Sequence, residues 1–179
     1  MPLRRTQLSD AALAVVAQTG LKGLTHRAVD AAAAVAEGTT SNYFRNRAAL
    51  VDAVAERLEQ LDVELLQRLG PAGPPEDVGE VAEQVTGLIF ALMEQHATLT
   101  RARLAMSLDR PESVTAGHFR LLVGLEQTLA GLGIPDAAAR ARDVVDYSDG
   151  LLLHQLTARR AEDPDPASTA AAIRRLLAG

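Results

Sequence analysis

At 179 residues the chain is long enough for one compact domain or two small ones and for a substantial buried core. Hydrophobic residues are 47%, charged residues 23% and aromatics 3%, with no Trp or Cys; this excludes a disordered tail, a disulfide scaffold, thiolate metal sites and cysteine nucleophiles, and it favours helices over strands. The net charge of −5 is uneven: residues 1–47 hold six cations against three acids, and the remainder holds 12 against 20, a basic head on an acidic body.

Met1-Pro2-Leu3-Arg4-Arg5 leads into an amphipathic segment, so no signal peptide is expected. Leu8, Ala11, Ala12, Val15 and Val16 fall on one helical face and predict a helix over 6–19, ended by Gly20 as a left-handed cap. Thr25 is placed to cap a helix over His26–Ala33, with a break at Ala34-Val35. A short segment, Glu37 to Phe44, follows. Asn46 caps a long helix whose seam is Leu50, Val54, Leu58, Leu61, Leu65 and Leu69, and Gly70 with the Pro71–Pro75 cluster stops it. Further helices are predicted over 77–108 (with a break near His96), 111–132 and 136–160. Pro111 and Pro135 are placed at first-turn positions, and Ser168 caps a last helix through Leu177. No run of about 18 apolar residues occurs, so no membrane span is predicted and a cytoplasmic protein is expected.

The short segment is a poor helix by propensity, because Gly, Thr, Ser and Asn compete for its backbone. Those side chains make sense if they face outward, with Gly38 allowing close approach. Short hydroxyl and amide groups on a helix suit the major groove of DNA, and a preceding helix joined by a tight turn makes a helix-turn-helix.

The run Leu24-Thr-His-Arg-Ala-Val29, Val35-Ala-Glu-Gly-Thr-Thr-Ser-Asn-Tyr-Phe44 and Arg45-Asn-Arg-Ala-Ala-Leu50 resembles the DNA-binding head of TetR-family (tetracycline-repressor-like) regulators. The resemblance covers about residues 6–54 at motif level and is architectural beyond. It implies that Thr25 contacts a phosphate, that Gly38, Thr39 and Thr40 face the groove with Ser41 and Asn42 beside them, that Tyr43 meets a phosphate, and that Phe44 packs into the head. Arg47 matches a cationic backbone contact. Helix N-termini and cations both attract phosphate, and Arg27 joins the set on chemistry and position alone. Three positions depart from the family pattern. Ala34 replaces a turn Gly, where a positive φ costs roughly 1 kcal/mol. Ala36 replaces a capping residue, and Glu37 stands where a cation is common.

The whole therefore reads as an all-α protein: a three-helix helix-turn-helix head (1–47), joined by a long helix to an effector-binding and dimerisation bundle (48–179). The resemblance implies a homodimeric transcription regulator, a repressor released by an unknown small molecule, acting on a near-palindromic duplex without cofactor, metal or membrane. The run 139–158 is the dimerisation candidate, with Gly150 admitting a close neighbouring helix. Effector candidates are Phe90, Arg103, Met106, His118, Phe119, Tyr147 and His154, polar or aromatic groups set among apolar ones. Asp143, Asp146 and Asp149 read as a solvated face, and no nucleotide-binding loop or local metal spacing points to an enzyme. Ala34, Ala36 and Glu37 keep open the alternative of a helical small-molecule or partner-binding protein without DNA function.

Overall fold

The computed structural model describes residues 2–69 and 73–178, and every regular element among them is helical. In chain order these are α1 (Pro2–Thr19), α2 (His26–Ala32), α3 (Thr39–Tyr43), α4 (Arg47–Leu69), α5 (Val78–Glu94), α6 (Ala97–Asp109), α7 (Thr115–Gly131), α8 (Ala137–Leu156) and α9 (Pro166–Ala178). Short 3₁₀ turns at Leu21–Gly23 and Pro111–Ser113 complete the set.

The chain divides into two compact units. The first takes in residues 1–68 and 98–116, so α4 and α6 pack with the segment assigned above to DNA. Its core joins Leu8, Ala12 and Val16 of α1, Val29 of α2, Phe44, Leu50, Val54 and Leu58 of α4, and Leu99, Ala102 and Met106 of α6. The apolar spacing of α1 and α4 accounts for this directly, since each stripe turns to one side and is buried there. Asn46 caps α4 as expected, its side-chain oxygen accepting from Ala49 N–H at 2.9 Å.

The second unit holds residues 69–97 and 117–179. There α9 packs on α5 and α8, and Ile173 and Leu177 of α9, Ile89 of α5 and Val144 of α8 are buried. Asp77 caps α5, accepting from Glu80 N–H at 2.9 Å.

Several boundaries differ from the sequence expectation, each for a local reason. Helix α1 starts at Pro2 rather than near residue 6, since Pro is tolerated in a first turn where no amide partner is needed. Pro111 opens a 3₁₀ turn, and α7 begins four residues later. Pro135 lies outside α8, because Asp136 takes a left-handed φ of 53° that no helix continues. Ser168 is inside α9: the cap is Asp165, which accepts from Ala167 and Ser168 N–H, and Pro166 occupies the first helical position. Helix α8 ends at Leu156, four residues early. The expected stop at Gly70 and Pro71 lies outside the described residues. At Gly150 an added Cβ would meet nothing within 4 Å, so the close helix expected there is not supplied by this protomer.

Candidate nucleic-acid interface

Helix α2 ends in a Schellman turn, with Ala34 N–H donating to Ala31 O at 3.2 Å and Val35 N–H to Asp30 O at 3.0 Å. That geometry requires a left-handed residue at position 34, and Ala34 has φ 53°. The strain foreseen from the missing Gly is therefore present. Ala34→Gly should stabilise the protein by about 0.5–1 kcal/mol and raise its melting temperature by about 2 °C; unchanged or lower melting in calorimetry would contradict this.

The chain then turns through Gly38, whose φ of 89° suits only glycine, with Thr39 N–H closing onto Ala36 O at 3.1 Å. Glycine is required here by backbone conformation, a reason separate from the close approach expected of it. Since Gly38 has no side chain and precedes α3 directly, the helix cannot be capped locally. Its cap comes from α2. The Asp30 carboxylate accepts from Gly38 N–H at 2.7 Å, Thr40 N–H at 2.7 Å and the Thr40 hydroxyl at 2.5 Å. Burial pushes the Asp30 carboxyl upward, but these three donors and nearby His26 outweigh it and hold the group below the usual carboxylate range. Its contribution to stability is thus present above the ordinary Asp range and is lost as pH falls through the lowered value.

This arrangement corrects the assignment of Thr40. Its side chain is fully buried (0% exposed) and bonded to Asp30, so it does not face a groove. On a helix of one turn, adjacent residues point about 100° apart, so Thr39 is reachable while Thr40 is not. The α3 amides of Gly38 and Thr40 are likewise engaged by Asp30 rather than open to a phosphate.

The other head residues remain at the surface. Thr39 is half-buried with its hydroxyl donating to Ala36 O; Ser41 is exposed and donates to Gly38 O at 2.7 Å. Asn42 is exposed. Tyr43 lays its ring partly against the core. Thr25 caps α2, accepting from Ala28 N–H at 3.1 Å, which leaves its own O–H free to donate. Two bonds bring the flanking cations together beside α3. His26 Nε2 donates to Phe44 O at 2.6 Å, and the Arg47 guanidinium donates to Leu21 O at 2.5 Å. The connections before α2 and before α4 therefore meet, grouping Thr25, Arg27, Arg45 and Arg47. Arg27 and Arg45 are exposed and form no ion pair among the described residues. Arg5 stacks its guanidinium 4.8 Å from the Phe44 ring centroid. Asp30, His26, Arg5 and Arg45 were not marked as site residues by sequence; their roles depend on burial and tertiary contacts that periodicity does not encode.

The effector candidates are dispersed. Met106 is fully buried in the core of the first unit, where an effector cannot reach it without displacing core packing. Arg103 pairs with Asp62 of α4. In the second unit Phe90 is half-buried on α5, while Phe119 and His118 are exposed on α7, with His118 Nδ1 3.8 Å from an Asp149 carboxylate oxygen. Tyr147 and His154 do come together, in a cleft of about 520 Å³ between α8 and the 159–169 segment, lined also by Asp146, Leu151 and Asp165. No group of His, Asp or Glu among the described residues is arranged to hold a metal ion, and no described helix is long and apolar enough to cross a membrane.

Comparison with known proteins gives two family matches, the second of which takes in α6 although α6 packs with the first unit. Residues 8–54 match the family described as "Bacterial regulatory proteins, tetR family", and residues 77–179 match "Tetracyclin repressor-like, C-terminal domain". Among solved structures, a transcriptional regulator from Rhodococcus sp. Rha1 is similar with TM-score 0.77 at 23% identity, over 97% of this chain and 94% of that one. A TetR-family member from Streptomyces coelicolor A3 gives 0.73 at 23% identity, over 97% and 98%. The multidrug binding protein EbrR complexed with malachite green gives 0.72 at 26% identity, over 97% and 98%. No curated protein matches by sequence.

Proposed function

The chain belongs to the TetR family of bacterial regulators, and from that premise we propose that it is a homodimeric repressor that binds a near-palindromic duplex and is released by a small molecule. The DNA-contacting part lies within residues 1–47, and effector binding and dimerisation lie within 48–179. The carrying observation is the head surface: Thr39, Ser41 and Asn42 stand on a helix pinned to its neighbour, beside the exposed cations Arg27, Arg45 and Arg47. Short polar groups read base edges; the cations, Thr25 and Tyr43 hold the phosphates. Exposed Glu37 accepts from a cytosine amino group in this reading.

Dimerisation is supported by uncovered apolar side chains in the second unit: Phe119 (53% exposed) and Val123, which their four-residue spacing sets on one side of α7, and Leu153 of α8. A second copy covers them and sets two heads on one twofold axis. The effector role rests on the EbrR–malachite green likeness and on the Tyr147–His154 cleft. The effector acts by its differential affinity for a state whose heads are spaced wrongly for the operator. The protein works in the cytoplasm, where the DNA is.

A gel shift with the DNA upstream of its own gene tests the reading. Arg47→Ala should weaken binding to all duplexes alike and lower the slope of log affinity against log salt by about one. Thr39→Ala should instead change the ranking of duplexes. Sequence-indifferent binding at physiological salt, or no binding, would favour the alternative without DNA function.

A further inference from the structure

We infer that Asp30 is a positioning residue for sequence reading: by holding the Gly38 and Thr40 amides and the Thr40 hydroxyl, it fixes the tilt and rotation of α3 on α2, and so decides which side chains of α3 meet the bases. The inference rests on the DNA-binding reading above.

A five-residue helix cannot hold itself, because one turn fixes several dihedrals for a single backbone bond. A local cap would stabilise such a turn yet leave it free to swing as a unit against its neighbour. Asp30 caps it from the neighbour instead, so capping and docking become one event. The same residue also ends α2, its backbone carbonyl accepting from Val35 N–H at 3.0 Å. At the far end of α3, His26 of α2 holds Phe44 O at 2.6 Å. Helix α3 is thus fastened to α2 at both ends, and two fastenings define an orientation where one would leave a hinge.

An apolar pair at positions 30 and 40 would also fill the space. It would impose no direction, because hydrophobic contact is non-directional. A buried ionised carboxylate is costly unless its acceptor sites are filled, and here three donors fill them. Each donor has one geometry that satisfies it. Rotating α3 by one residue would carry the Thr40 hydroxyl away from Asp30 and bring a different set of side chains to the DNA.

The test uses the full chain and two labelled duplexes: one selected from a random-sequence pool by the wild-type protein, and a scrambled duplex of equal composition. Asp30→Asn keeps the shape but cannot accept from all three donors. At a temperature where the variant is fully folded by circular dichroism, its preference for the selected duplex should fall about 10- to 100-fold, the range for lost hydrogen bonds to a charged group. Affinity for the scrambled duplex should change little. Amide exchange by NMR should show Gly38 or Thr40 losing protection, whichever faces the new amide nitrogen, while α4 keeps it. A folded Asp30→Asn protein with the wild-type preference, or with equal losses on both duplexes, overturns the inference. Should Asp30→Asn fail to fold, Thr40→Val decides. It retains both amide bonds and should lose a smaller part of the preference, and an unchanged preference counts against the role. If the wild-type protein selects no duplex, the DNA-binding reading fails by itself; Gly38 and Thr40 exchange then settles whether Asp30 orients α3.

Discussion

Phe44→Ala should destabilise the protein by about 3–5 kcal/mol, a large fraction of the 5–15 kcal/mol that holds a typical domain together. Phe44 is 1% exposed in the core that joins α1, α2 and α4, and it is the residue where α3 gives way to the connection into α4. Truncating it leaves a cavity in the core that α1, α2 and α4 share, and it removes the ring over which Arg5 stacks. The second unit has its own core of α5, α8 and α9, so the loss should fall on the first unit. Thermal melting should show an early transition in the variant, and DNA binding should vanish above it. A single transition near the wild-type temperature would contradict this account of the head.

Phe119→Asp should break the dimer. In the proposed assembly Phe119 is covered by a second copy, so each protomer would bury an unpaired carboxylate. That costs about 2–4 kcal/mol per copy, and twofold symmetry counts it twice, weakening self-association by a thousandfold or more. The position is 53% exposed in the isolated chain, so the fold itself should be untouched. Sedimentation should show monomers at concentrations where the wild-type protein is dimeric, with an unchanged helical spectrum. The affinity for a duplex with two half-sites should drop steeply, because the second head no longer binds as part of one molecule. A variant that remains dimeric at the same concentrations would place the interface elsewhere.

Much of this architecture was legible in the sequence, and the reasons are specific. Leu50, Val54, Leu58 and Leu65 mark the buried side of α4 because a long helix repeats its face many times. Asn46 and Thr25 announce their helices because a cap is a local interaction, complete within four residues. Ala34 could be assigned a positive φ because the family it resembles places a Gly in that turn, and the structure has it at 53°. The functional residues of α3 were harder. With a single turn, Thr39 and Thr40 cannot be sorted by periodicity, and only the docking of α3 on α2 shows that Thr40 points inward. Asp30 gave no signal, since an acidic residue in a short helix usually marks the solvent side and here marks the most buried polar contact in the head. The effector candidates were chosen as polar groups among apolar neighbours, a pattern that cannot separate a core Met106 or an ion-paired Arg103 from residues lining a cleft.

Selection of duplexes from a random-sequence pool by the full chain, at about 0.15 M salt where the Debye length is about 8 Å, decides whether paired heads read DNA. Two related half-sites in inverted orientation, about one helical turn apart and bound by two protomers per duplex, should be enriched. An unenriched pool, or enriched sequences bound equally well when one half-site is destroyed, would contradict this.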